Sequence, residues 1–146
     1  MPLLAACIVM VIFFAHTAAR ADVSAWIGEW HSGNEKTIGI SAGSRAKELL
    51  IEGAATFGAE DSDRIALGSI HAGSFSVVWS VPEGNVRVIA FTVDDERAIE
   101  FEGGDKFSCR LRMEQSGDHL NVSDNGQCGG LNVTFTGIYR RSGSRD

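Results

Sequence analysis

Short apolar runs recur about every ten residues along most of this chain, and turns rich in glycine and acidic residues separate them. In the run 75–81 every second residue is large and apolar, and two of the three residues between them are serine. A period of two is the geometry of a β-strand that buries one face and leaves the other in water. Many short strands at regular spacing predict an all-β domain, either a barrel or a sandwich.

The strand pattern can be assigned over most of the chain. We predict strands at 36–41, 47–57, 64–71, 75–81, 86–93, 98–102, 107–114, 119–123 and 131–140. Eight or nine antiparallel strands in a domain of this size can close an up-and-down barrel with room for side chains or one small ligand. A β-sandwich is the alternative.

Alternation within these strands predicts which side chains face the core. Phe107 and Leu131 should face inward, and Glu114 should lie opposite His119 in a hairpin. One shared core is predicted to contain the following residues: Phe75, Val77, Trp79, Leu111, Val133 and Phe135.

The first 21 residues are typical of a signal peptide. An apolar run from Leu3 to Ala15 is followed by Ala19-Arg20-Ala21, which fits the small-x-small cleavage pattern. We therefore predict a mature protein that begins at Asp22 and forms a single domain over 22–146. Removal of Arg20 leaves 12 basic and 19 acidic side chains, so the mature net charge is −7. Such a charge argues against nucleic acid and against anionic membrane surfaces as partners.

Two cysteines remain after removal of the signal peptide, Cys109 and Cys128. An even pair of cysteines in an exported domain predicts one disulfide. The alternative, half of a metal site, lacks a histidine at ligand spacing. Signal peptide and disulfide together predict a periplasmic or secreted protein.

Two stretches resemble known proteins. The opening Gly28-Glu29-Trp30 resembles the G-x-W start of lipocalin-type barrels, whose tryptophan packs across the open end, and the stretch through Gly39 is similar to the opening of avidin-type barrels. This resemblance covers about twelve residues and implies a barrel, not a ligand, because the biotin-contacting side chains of avidins have no counterparts here. The ending Cys128-Gly129-Gly130-Leu131-Asn132-Val133 through Arg141 resembles small exported, largely uncharacterised bacterial proteins, which implies a compartment but no mechanism.

The sequence favours binding over catalysis. It contains no dinucleotide or phosphate-binding loop, and its histidines stand outside recognised catalytic frames, so we expect no enzyme activity, cofactor or metal. We expect a binding module for a small or partly apolar ligand, with Trp30 and Trp79 as candidate contacts and the loops or the barrel mouth as the site. The alternative is an inhibitor or immunity-type protein that binds a cationic hydrolase such as lysozyme. Both tryptophans would also suit a purely structural role.

Overall fold

The described part of the chain, residues 23–143 of this computed structural model, forms a closed barrel of nine β-strands. The prediction of an all-β fold is confirmed, and closure of the sheet excludes the sandwich alternative. The predicted signal peptide and Asp22 lie outside the described residues. The elements in chain order are β1 (Gly28–Ser32), β2 (Lys36–Ala42), β3 (Glu48–Phe57), α1 (Ser62–Ala66), β4 (His71–Ser80), β5 (Val88–Asp94), β6 (Arg97–Ile99), β7 (Arg110–Ser116), β8 (His119–Asp124) and β9 (Gly137–Arg141).

The strand order departs from a simple up-and-down barrel. Neighbours around the barrel run β1-β2-β3-β4-β6-β5-β7-β8-β9, and pairing of β1 with β9 closes the ring. The β5–β6 hairpin thus places its second strand beside β4. There β6 runs parallel to β4 and meets it at one position, where Val78 lies opposite Arg97. The prediction of a purely up-and-down barrel is wrong in this respect, because the alternation within a strand carries no information about its neighbour.

A short helix replaces the strand that was predicted at 64–71. The Asp61 side chain accepts hydrogen bonds from the backbone N–H groups of Asp63 and Arg64, at 3.0 and 3.2 Å, and so caps the first turn of α1. A side-chain cap of this kind satisfies N–H groups that a helix start otherwise leaves without partners. The Arg64 guanidinium also lies 4.7 Å from the centre of the Phe57 ring. The local cap therefore outweighs the weak apolar alternation of this segment.

Two predicted strands are shorter than expected, and two residues predicted to face inward are exposed. β7 begins at Arg110, so Phe107 lies in a loop and is 67% exposed. β9 begins at Gly137, and Leu131 lies in the preceding loop with 70% of its surface exposed. In both places a loop that contains a disulfide cysteine interrupts the pairing, whereas the apolar residues continue the alternation in the sequence.

The β7–β8 hairpin is tighter than predicted. Ser116 lies opposite His119, and Leu111 lies opposite Asp124. Gly117 has a φ of +63° at the first position of the two-residue loop. Glycine reaches this conformation without strain and is favoured in tight hairpins. The predicted pairing of Glu114 with His119 is therefore wrong by two residues on β7.

The inner faces of the strands form a single core. Five of the six residues predicted to share it are buried, and the sixth, Trp79, is partly buried and packs against the others. Phe75 packs edge-on against Phe135 and Phe91, with ring centres 5.0 and 6.1 Å apart. The predicted core is confirmed.

Candidate functional site

Side chains fill the interior of the barrel. The largest fully buried ones come from seven of the nine strands and from the segments just before β1 and β9: Trp26, Trp30, Tyr139, Phe91, Phe135, Ile38, Leu49, Ile51, Ile89, Leu111, Met113 and Leu120. Within residues 23–143, every buried side-chain nitrogen or oxygen atom has a hydrogen-bond partner. A ligand would therefore meet this barrel on its outer surface or on its loops.

Trp30 lies on β1 and is 0% exposed. Its indole N–H donates to the backbone oxygen of Trp26 at 3.0 Å, and the Arg141 guanidinium lies 4.6 Å from its ring centre. Trp26 in turn donates its indole N–H to the backbone oxygen of Val86 at 3.0 Å. Both indoles thus fasten the turn before β1 across one end of the barrel, where Gln115 also donates to the backbone oxygen of Ala25.

Trp79, the second candidate contact, lies near the end of β4 opposite Leu49 and is partly exposed. Among the described residues, the close contacts between two aromatic rings join three phenylalanines, and neither Trp30 nor Trp79 takes part in one. Binding of a ligand by either indole stays a prediction, and a ligand for Trp30 would have to displace Arg141.

Three loops meet at the opposite end of the barrel, and we call them together the loop end: residues 58–70, 100–109 and 125–136. The predicted disulfide between Cys109 and Cys128 is present and joins the second loop to the third. The Asn125 side chain strengthens this link, because it donates to the backbone oxygen of Ser108 at 2.8 Å and accepts from the backbone N–H of Arg110 at 3.0 Å. The second and third loops are therefore held together by covalent and polar links.

Close backbone contacts fasten the third loop to β4. The backbone N–H of Gly130 donates to the oxygen of Ala72 at 3.3 Å. A Cβ atom added at Gly73 would lie 2.5 Å from the Cα atom of Gly129. Neither Gly129 nor Gly130 has a positive φ angle. A Cβ atom at Gly129 would lie 2.5 Å from Cγ1 of Val133 and 3.2 Å from the Cα atom of Gly73, so close packing on both sides requires glycine there.

Asp124, the last residue of β8, organises the third loop. Its carboxylate accepts hydrogen bonds from the Thr134 hydroxyl at 2.8 Å, from the backbone N–H of Gly126 at 2.6 Å and from that of Thr136 at 3.1 Å, and also from the backbone N–H of Phe135. Nearby, the buried Tyr139 hydroxyl donates to the oxygen of Phe135 at 2.8 Å. Burial, with a smaller contribution from the Asp124 charge, raises the pKa of Tyr139 well above its usual range.

The loop end exposes several large apolar side chains. Leu67 is 78% exposed, and the two loop residues Phe107 and Leu131 are nearly as exposed. Ile65 and Ile70 are also exposed, on α1 and in the segment after it. The three loops carry six acidic and two basic side chains, a net charge of −4. An apolar surface of this kind, bordered by charge and carried on rigid loops, is typical of a protein-binding site.

A groove of 570 Å³ runs across the outer face of β1 to β4 and reaches the β5–β6 turn. Small residues of the middle strands form its floor: Gly39, Gly53, Ala54, Ser74 and Ser76. Four carboxylates line it, those of Glu29, Glu52, Asp95 and Glu96. In the region that the structure describes, none of the four forms an ion pair. The groove is therefore a negatively charged surface without its own counter-ions.

The histidines stand far apart in the sequence, but the structure brings two of them into one row across three neighbouring strands. Arg140 on β9 lies opposite His31 on β1 and opposite His119 on β8. His119 contacts the carboxylate of the adjacent Asp118 at 2.5 Å. Across residues 23–143, no group of three or more His, Cys, Asp or Glu side chains is placed to hold a metal ion. Nor does this part of the chain contain a helix that is long and apolar enough to cross a membrane.

Comparison with known proteins adds no family to this description. No family model, no curated protein and no solved structure matches the chain.

Proposed function

We propose that this protein is an exported binding protein that recognises a cationic protein partner through its loop end. The observation that carries the proposal is the exposure of Phe107 and Leu131 on two loops that the disulfide and Asn125 fasten together, with Leu67 exposed on the first loop of the same end. Rigid loops lose little conformational freedom on binding, so the apolar surface they bury contributes more fully to affinity. Of the two expectations from the sequence, this supports the inhibitor or immunity-type protein over the binding module for a small or partly apolar ligand, because the exposed apolar side chains stand on loops and one candidate ligand contact, Trp30, is fully buried.

Charge indicates the class of partner. The loop end carries a net charge of −4, and the whole chain after the predicted signal peptide carries −7. Opposite charge on a partner accelerates association and excludes acidic competitors. The signal-peptide pattern of residues 1–21 supports an exported location, where cationic hydrolases such as lysozyme are candidate targets. The proposed role is binding that blocks the partner, without chemistry of its own.

The test is titration of the protein against a panel of cationic secreted hydrolases that includes lysozyme, followed by calorimetry and by the activity of the hydrolase. Leu131→Asp should weaken binding at least tenfold, because burial of a leucine is worth about 1.5–3 kcal/mol and the aspartate would be buried unpaired. Ile27→Ser, at an exposed apolar residue before β1, is the matched control and should bind as the parent does. Equal binding by both variants would exclude the loop end, and the absence of binding across the panel would refute this class of partner.

A further inference from the structure

One edge of β4 carries backbone groups without partners, and it borders the acidic groove. On its other edge β4 pairs with β3 along its whole length, from His71 to Ser80. In an antiparallel pair, alternate residues direct their N–H and C=O groups to the neighbouring strand. The backbone N–H of Val81 donates to the oxygen of Lys47 on the β3 side, so the backbone N–H and C=O groups of the odd-numbered residues of β4 point to β3. The backbone groups of the even-numbered residues therefore point to the opposite edge of β4.

Two contacts on that other edge confirm the direction and show where pairing stops. The backbone N–H of Val78 donates to the oxygen of Glu96 at 3.0 Å, and the oxygen of Ala72 accepts from Gly130. Between these points lie Ser74 and Ser76, both exposed. Among the contacts of the described residues, no hydrogen bond involves the backbone N–H or C=O group of either serine on this side. The barrel wall thus contains a short free edge with two donors and two acceptors.

We propose that this free edge and its groove form a strand-addition site for an extended, basic segment of a partner polypeptide. An added strand would pair with Ser74 and Ser76 through its backbone, which is the binding mode of peptides that extend a sheet. Its side chains would enter a space of 570 Å³ that is lined by Glu29, Glu52 and Asp95. The uncompensated carboxylates select lysine and arginine side chains by charge. The site uses residues outside the loop end and does not depend on the function proposed for that surface.

The dimensions set the length of the segment. Five residues lie between Ala72 and Val78. Because a strand rises about 3.3 Å per residue, the free edge accommodates a strand of roughly three to five residues. A suitable probe is a heptapeptide of alternating lysine and valine with acetylated and amidated ends. Its binding would be followed by calorimetry and by amide chemical shifts of the labelled protein, with a glutamate–valine peptide as the charge control.

Backbone pairing and charge can be tested separately. Ser76→Pro removes an outward backbone N–H but none that β4 uses within the sheet, and proline is tolerated on edge strands. It should weaken peptide binding about two- to tenfold, the range expected for one hydrogen bond. Ser76→Ala keeps the N–H group and should bind as the parent does. A triple change of Glu52, Asp95 and Glu96 to their amides should weaken binding about tenfold and reduce its salt dependence.

A second test needs no change to the protein. Two peptides are compared, each N-methylated at alternate residues along one of its two edges. The peptide whose methylated edge pairs with β4 should lose binding, and the peptide whose methylated edge points away from β4 should keep it.

Changes in amide chemical shift that saturate and are confined to 72–78 and the β5–β6 turn would support the proposal. Equal binding by Ser76→Pro and Ser76→Ala, or by both methylated peptides, would overturn strand addition. Failure of the basic peptide to bind would show that the carboxylates only protect a free edge. Leu131→Asp should leave peptide binding unchanged, so failure at the loop end and failure at the groove remain distinguishable.

Discussion

Gly53, in the middle of β3, should be intolerant of alanine because of one aromatic ring. A Cβ atom at this position would lie 2.2 Å from Cε1 of Phe75 and 2.9 Å from Cε1 of Phe135. Real Cβ contacts are not that short, so the Phe75 ring would have to leave its edge-on packing. Overpacking of a core costs about 1–3 kcal/mol of stability. Replacing glycine by alanine in a strand stabilises the folded state by about 0.4–1 kcal/mol, because it lowers the conformational entropy of the unfolded chain. We expect Gly53→Ala to lower the free energy of unfolding by about 1–2 kcal/mol.

A double-mutant cycle isolates the ring as the cause. In a Phe75→Leu background the nearest obstructing atoms are gone, and Cε1 of Phe135 remains 2.9 Å from the added Cβ atom. The cost of Gly53→Ala should therefore fall by about 1 kcal/mol or more relative to the parent background. Gly39→Ala is the matched control on β2, because its nearest obstacle is the flexible carboxylate of Glu29 at 2.9 Å. That substitution should change stability little in either background. Urea unfolding followed by tryptophan fluorescence gives the four free energies. A cost for Gly53→Ala that is the same in both backgrounds would refute the steric explanation.

Two further predictions concern the polar cluster behind the loop end. Asp124→Ala should lower the free energy of unfolding by about 2–4 kcal/mol, mainly because the N–H of the fully buried Phe135 loses its acceptor; a loss below about 0.5 kcal/mol in urea unfolding would mean that water replaces the carboxylate. Tyr139 is the only tyrosine of the chain, so ultraviolet absorbance reports its ionisation alone. Because its pKa is raised in the folded state, its contribution to stability is complete below its ordinary value of 10.0 and declines as the pH rises above it. We expect tyrosinate to appear together with unfolding; ionisation of the folded protein near pH 10 would contradict this.

The sequence predicted the strands whose alternation was regular and failed where local or distant contacts decided the structure. Phe75 to Val81 and the β7–β8 hairpin strands were recognisable because burial of one face imposes a period of two. The helix at Ser62–Ala66 was missed because its stability depends on one capping carboxylate, that of Asp61. The position of β6 beside β4 was missed because strand order is set by contacts between distant parts of the chain.

For the candidate sites too, local sequence signals predicted some features, and contacts between distant residues decided the others. The disulfide could be predicted from two cysteines and an expected compartment, and the structure places it between the second and third loops of the loop end. The exposure of Phe107 and Leu131 could not be predicted, because both continue an alternation that is typical of buried residues. The free edge at Ser74 and Ser76 depends on which backbone groups pair across the sheet, and side-chain identity carries no signal for that.

The closing contact of the barrel joins its first and last strands, and this has a consequence for how the chain folds. Trp30 on β1 lies opposite Arg141 on β9, so the pairing spans more than a hundred residues of chain. Contacts between such distant residues require a large loop to close first, and they slow folding. As the chain emerges from N- to C-terminus, β1 to β8 must remain an open sheet until β9 is available. During that interval both β1 and β8 present unpaired edges, which are prone to aggregation. Binding by a chaperone or rapid completion of synthesis would protect this protein most at that stage.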